Sequence, residues 1–215
     1  MSAIHHYSTS YREARAKFLD ACADAGLSPR SFDNPGRGPD GERLDTHVAR
    51  IGAVDADSVL IACSATHGVE GFCGSAALVG FLAERLHTEL PTNSAAVLVH
   101  AINPHGFAHE RRVNEDNVDL NRNFIDHDKP HPTNVAYNEV HPWLVPEDWE
   151  GFARAEADRA INRYIQDRGL KTFQAAVTGG QYEHPGGLFY GGRSPTWSNR
   201  AWRQVIAAEA AGRRR

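Results

Sequence analysis

The segment His67-Gly68-Val69-Glu70-Gly71 sets an imidazole and a carboxylate three residues apart. Both are ligand types that zinc accepts, and a catalytic zinc site can be built from two histidines and one glutamate. The flanking glycines let the backbone turn sharply and leave room for an ion and a substrate. Taken alone, the same five residues also read as a polar turn at a strand end. A second group follows: Asn103-Pro104-His105-Gly106, then Arg112-Val113-Asn114, then Asp119-Leu120-Asn121-Arg122-Asn123-Phe124. Arginine offers a rigid fork that binds a carboxylate in bidentate fashion or stabilises an oxyanion. The asparagines add neutral donors that orient a ligand. Asn-Pro and His-Gly are also good turn formers, so a solvated loop is the plainer reading of this segment.

The elements that must position these residues are legible as periodicity. Ser10 and Glu13 fit a capping box. Tyr11, Ala14, Phe18, Leu19 and Cys22 recur at helical spacing, and Gly26 suits the stop. Ser28 to Glu42, rich in Pro, Gly and Asp, reads as a loop. Strands are predicted at Thr46 to Val54 and at Ser58 to Ala65. The second is continuously apolar from Val59 to Cys63, which suits a strand buried on both faces. A helix is predicted from about Gly71, burying Phe72, Ala76, Val79, Phe81, Leu82 and Leu86, and a third strand at Ala95 to Ile102. Strand, helix and strand in this order imply an α/β fold with an open, mostly parallel or mixed sheet flanked by helices. Ligands in such sheets bind beyond the carboxyl ends of strands, which is where His67 and Glu70 fall.

From Asn103 to Pro146 the periodic pattern disappears, and so long an irregular stretch is usually functional or disordered. Helices are predicted at Trp149 to Arg168 and Leu170 to Val177. A glycine-rich loop, Thr178 to Arg193, precedes a last helix from about Thr196.

Composition narrows the function classes. The 215 residues carry a formal net charge of -4, so there is no basic field for nucleic acid, and the cluster Arg213, Arg214, Arg215 reads as a solvated tail. No apolar run matches a signal peptide or a membrane span. Cys22, Cys63 and Cys73 form no CxxC pair or disulfide framework. These features predict a soluble, cytoplasmic protein with no nucleic-acid or membrane partner.

Taken in order, His67-x-x-Glu70, Asn103-Pro-x-Gly106, Arg112-x-Asn114 and Asp119-Leu-Asn-Arg-Asn-Phe124 resemble the zinc carboxypeptidase superfamily. Its succinylglutamate desuccinylase and aspartoacylase relatives share a looser form of the pattern. Glu183-His-Pro-Gly-Gly-Leu-Phe-Tyr-Gly-Gly192 further resembles a bacterial subgroup of unassigned substrate. The resemblance implies a zinc-dependent hydrolase that cleaves an amide bond next to a free carboxylate. It implies that His67 and Glu70 are zinc ligands and that Arg112 polarises the scissile carbonyl. It makes Asn121 and Arg122 the pair that holds the substrate carboxylate, and all five are expected to converge on one pocket. His105 stands where the family usually has Asp, and Asn117 where Gly is common.

The family takes a third zinc-binding histidine from a later strand, and a catalytic glutamate later still. The chain is therefore expected to be a single domain over residues 1–215, incomplete at its C-terminus. His131 and His141 read as loop residues, His184 as a pocket-lining candidate, and Cys73 as packed under the helix. The substrate is expected to be a small peptide or an N-acyl amino acid. An N-acyl amino acid deacylase, or a non-catalytic truncated relative that binds a carboxylate, stands beside the peptidase reading.

Overall fold

The computed structural model describes residues 3–210, so the Arg213 to Arg215 cluster lies outside the described residues. The chain forms two compact units. One comprises the residues up to Glu115 together with Trp197 onward, and the other is Asp116–Thr196.

The first unit holds a four-stranded mixed sheet flanked by helices. Its strands are β1 (Arg30–Arg37), β2 (Arg43–Ile51), β3 (Ser58–Cys63) and β4 (Ser94–His100), in the order β1-β2-β4-β3. β1 and β4 both pair antiparallel to β2, and β3 runs parallel to β4. β1 forms inside the segment expected to be a loop. Its Pro35 and Gly36 lie in the register shift between Asn34 and Arg37, where the ladder is irregular and an edge strand tolerates turn residues. β3 also departs from expectation. It is an edge strand, and Leu60 is 55% exposed. Apolar content alone does not report whether a strand has neighbours on both sides.

Helix α1 (Tyr11–Asp24) starts at Ser10, whose hydroxyl accepts the Glu13 N–H at 3.2 Å. Glu13 reaches back to the Thr9 N–H at 2.7 Å. Gly26 (φ +70°) lets the chain leave the helix, with Leu27 N–H donating to Cys22 O at 2.8 Å. Phe18 and Cys22 of α1 pack with Leu78, Val79 and Leu82 of α2 (Gly71–Ala83) over Ala49, Ala96 and Leu98 of the sheet. In α2, Ala76, Val79 and Leu82 are buried as expected, but Leu86 lies beyond the helix and is exposed. The short helix α3 (Pro104–Ala108) buries Phe107 against Tyr11, Leu44 and Ala65. In the last helix, α8 (Trp197–Ala210), Glu209 receives Arg30 at 2.6 Å and Arg50 at 2.7 Å, which ties it to β1 and β2.

The second unit is helical and irregular. It contains α4 (Leu120–Asn123), α5 (Val135–Leu144), α6 (Phe152–Arg168) and α7 (Leu170–Thr178). Val140, Tyr164 and Ala176 form its apolar centre, with Trp143 and Phe173 packed alongside. No helix among the described residues is long and apolar enough to cross a membrane.

Candidate functional site

In the first unit the site is built at the carboxyl ends of the parallel strands β3 and β4. Beyond Cys63 the pairing continues for a step: Ser64 N–H donates to Val99 O, Ile102 N–H to Ser64 O and Asn103 N–H to Ala65 O, each at 3.0 Å. Ala65 adopts φ +55°, a conformation uncommon for a residue with a side chain, and it redirects the chain toward His67. The loops after the two strands are thereby laid side by side. Asn103 caps α3, its Oδ1 accepting the Gly106 N–H at 2.9 Å. Gly68 N–H donates to Arg111 O at 3.0 Å. A Cβ on Gly68 would stand 1.9 Å from Gly106 O and 2.4 Å from Arg111 O, so only glycine fits against this backbone.

His67 Nδ1 lies 2.8 Å from Glu70 Oε2. The imidazole is buried, whereas the Glu70 side chain is 68% exposed. Glu70 occupies the N-cap of α2 without capping it, so its carboxylate is turned to His67 rather than to the helix end. The proton between the two groups is what a cation would replace. Arg112 follows Arg111 directly and is exposed. The donor chemistry suits zinc, but catalytic zinc takes three protein ligands. Among the described residues no group of three or more His, Cys, Asp or Glu could hold a metal. Cys73 is exposed rather than packed under α2, with the Tyr7 hydroxyl donating to its Sγ at 3.8 Å.

Two buried histidines support this end of the sheet, and sequence reasoning passed over both. His47 on β2 and His100 on β4 are register partners. His100 Nε2 meets Ser75 Oγ at 2.9 Å, which links the end of β4 to α2, and its ring stacks on Phe18 with centroids 4.8 Å apart. His47 Nε2 accepts from Arg15 Nε at 3.0 Å, and Arg15 also pairs with buried Asp45 at 2.9 Å. Burial, and then the charge of Arg15, lower the His47 pKa to about 4. Burial, and then the neighbouring His47, lower that of His100 to about 3. For His100 a signal was there in the sequence, since it closes the apolar run Ala95 to Val99; His47 lies among Asp45, Thr46 and Arg50, and nothing in that pattern marks it as buried.

In the second unit, Asp119 accepts the Asn121 N–H at 3.0 Å and so opens α4, which carries Asn121 and Arg122. The glycine-rich loop is folded around these residues. Arg122 Nη2 donates to Thr178 O at 2.6 Å, its Nη1 donates to Asn121 O at 3.2 Å, and the guanidinium lies 5.8 Å over Phe189. The Tyr182 hydroxyl donates to Arg122 O at 2.6 Å. Gly180 has φ +84°, and a Cβ there would stand 2.4 Å from Arg122 Cδ. Asn123 Nδ2 donates to Gly191 O at 2.8 Å and Ser194 O at 2.9 Å, and its Oδ1 accepts the Thr196 N–H at 3.0 Å. Asn117, at a position where the resembled family commonly has Gly, adopts φ +58°, which asparagine tolerates. Its Nδ2 donates to Pro185 O and Gly187 O. His184 pairs with Asn138 Oδ1 at 2.8 Å, and its ring lies 3.9 Å from that of His141, which belongs to α5 rather than to a loop. Burial, and then His184, lower the His141 pKa.

The structure thus brings His67 to Glu70 and seats Arg122 in the glycine-rich loop. His67, Glu70 and Arg112 belong to the first unit, and Asn121 and Arg122 to the second.

Solved structures with a likeness to this chain include carboxypeptidase A from Helicoverpa armigera, at 16% identity over 93% of this chain and 42% of that one, with a TM-score of 0.47. A metallo-carboxypeptidase from Burkholderia cenocepacia shares 21% identity over 72% of this chain and 37% of that one, with a TM-score of 0.31. Glutaminyl cyclase from Fimbriiglobus ruber shares 14% identity over 40% of this chain and 35% of that one, also with a TM-score of 0.31. The chain spans between 35% and 42% of the length of these three proteins. No curated protein matches it in sequence. The family profile described as "Protein of unknown function (DUF2817)" matches residues 7–215, and the chain belongs to that family.

Proposed function

We propose that this chain carries the metal-binding and carboxylate-binding elements of a zinc-dependent hydrolase of the carboxypeptidase type. The bond cleaved is an amide next to a free carboxylate. The observation that carries the reading is the His67–Glu70 pair, 2.8 Å apart at the carboxyl end of the parallel β3–β4 pair, within a motif order that resembles the zinc carboxypeptidases. When bound, zinc supplies Lewis-acid polarisation of the carbonyl and a more acidic water. His67 and Glu70 serve as two of its ligands, and a two-ligand pair holds the ion weakly. Arg112, an exposed cation on the segment joined to Gly68, stabilises negative charge that develops on the carbonyl oxygen. Asn121 and Arg122 bind the free carboxylate, which competes with Thr178 O for the Arg122 donors.

Two measurements on the chain test this reading. Zinc titration by calorimetry should show weak, chelator-labile binding whose stoichiometry His67→Gln and Glu70→Gln each lower by one equivalent; unchanged binding in both variants would refute the ligand assignment. N-acetyl amino acids should bind, and Arg122→Ala should weaken them by about 1.5–3 kcal/mol, the loss expected of a charged hydrogen bond. Their C-terminal amides should bind poorly and be indifferent to the substitution. Equal losses for acid and amide would remove Arg122 from the carboxylate role. Titrating free peptides beside the N-acetyl amino acids separates peptidase from deacylase specificity.

A further inference from the structure

We propose a second metal-binding point, the pair His127 and His131, which takes a divalent ion that prefers tetrahedral geometry, Zn2+ above all. His127 Nδ1 and His131 Nε2 face each other at 3.3 Å. Two imidazole nitrogens bound at 2.0–2.1 Å to one tetrahedral ion stand about 3.3–3.4 Å apart. The same separation is long for a hydrogen bond with an N–H donor, which falls at roughly 2.7–3.2 Å. The protein also fixes the tautomer needed of one ligand. His127 Nε2 lies 2.9 Å from Asn123 O, and a carbonyl oxygen only accepts, so Nε2 carries the proton and Nδ1 presents its lone pair to His131. Metal-binding histidines are commonly oriented in this way, by giving the other ring N–H to a backbone carbonyl.

His131 is steadied from its other side. Its ring packs at 5.1 Å on that of Tyr182, whose hydroxyl is anchored on Arg122 O. Both histidines are half-buried, which leaves a path for water to complete the coordination shell. Asp126, next to His127, pairs with Lys129 at 3.0 Å. With two protein ligands the ion is exchangeable rather than structural. The pair at His67 lies in the other unit.

The test uses the full chain carrying His67→Gln and Glu70→Gln, so that failure of the first site cannot pass for failure of this one. Zn2+ is titrated by calorimetry, and Co2+ is added while the histidine ring signals are followed by NMR. Zn2+ should bind with one equivalent, and Co2+ should shift or broaden the ring protons of His127 and His131 before any others. His127→Gln and His131→Phe should each weaken Zn2+ at least roughly tenfold. His131→Phe keeps an aromatic ring against Tyr182, and unchanged thermal unfolding of both variants separates loss of a ligand from loss of fold. If Co2+ leaves these two signals alone, or if both variants bind Zn2+ as the parent does, the two rings share only a hydrogen bond and the proposal is overturned.

Discussion

Lowering the pH from 7.5 to 5 should destabilise the fold by about 4 kcal/mol through two buried histidines, His47 and His100. Both are held neutral. His47 sits under Arg15, and His100 is fully enclosed between Phe18 and Ser75. Their folded pKa values, about 4 and about 3, lie below the value of 6.5 for free histidine. The sign follows from proton counting. Between pH 6.5 and 4 the unfolded chain binds protons at these positions and the folded chain does not, so acid favours unfolding. The contribution is complete above pH 6.5 and is lost as the pH falls toward the folded values. At pH 5 each histidine is about 1.5 units below its unfolded pKa, worth about 2 kcal/mol at 1.36 kcal/mol per unit. The two effects add at this pH because both rings are still neutral in the folded state, so their mutual repulsion has not begun. Urea unfolding at pH 7.5, 6 and 5 reads the effect directly. His47→Gln retains an acceptor for Arg15 but cannot titrate, and should halve the loss to about 2 kcal/mol. A urea midpoint that stays flat from pH 7.5 to 5, or the same pH slope in His47→Gln, would refute the burial argument.

Two glycines give sharper structural tests. Gly68→Ala forces a methyl group onto the carbonyls of Gly106 and Arg111 and should cost about 2–4 kcal/mol, from overpacking and the lost Gly68–Arg111 bond. Gly186→Ala, where a Cβ meets nothing within 4 Å, is the control and should leave the urea midpoint within experimental error. Gly180→Ala strains a left-handed position by about 1–2 kcal/mol and displaces the Arg122 side chain. It should weaken N-acetyl amino acid binding while leaving zinc titration untouched, a split that calorimetry on one sample reads.

The closeness of His67 and Glu70 was legible because its geometry is local. His67 and Glu70 are three residues apart just past an apolar strand, and a turn followed by a helix start is enough to bring them together. The seat of Arg122 was not legible. The Thr178 carbonyl lies 56 positions away, and nothing in the pattern Thr178 to Arg193 announces that its glycines make room for a guanidinium rather than for a turn. The irregular stretch after Asn103 hid α3, α4 and α5 for a related reason. Two of these helices are only five and four residues long, too short to show a period, and both are held by Asn or Asp side-chain caps rather than by an apolar face.

β3 shows where sequence and structure part for a physical reason. Val59, Leu60, Ile61, Ala62 and Cys63 are the composition of a strand covered on both faces, and hydrophobic patterning can say no more than that. Its burial depends on what stands beside it, and in this sheet β4 lies on one side only. The strand carries no charge, proline or bulge, the devices by which exposed edges are usually kept from pairing with other chains. Its sequence therefore suits a covered strand, while its position leaves Leu60 to solvent.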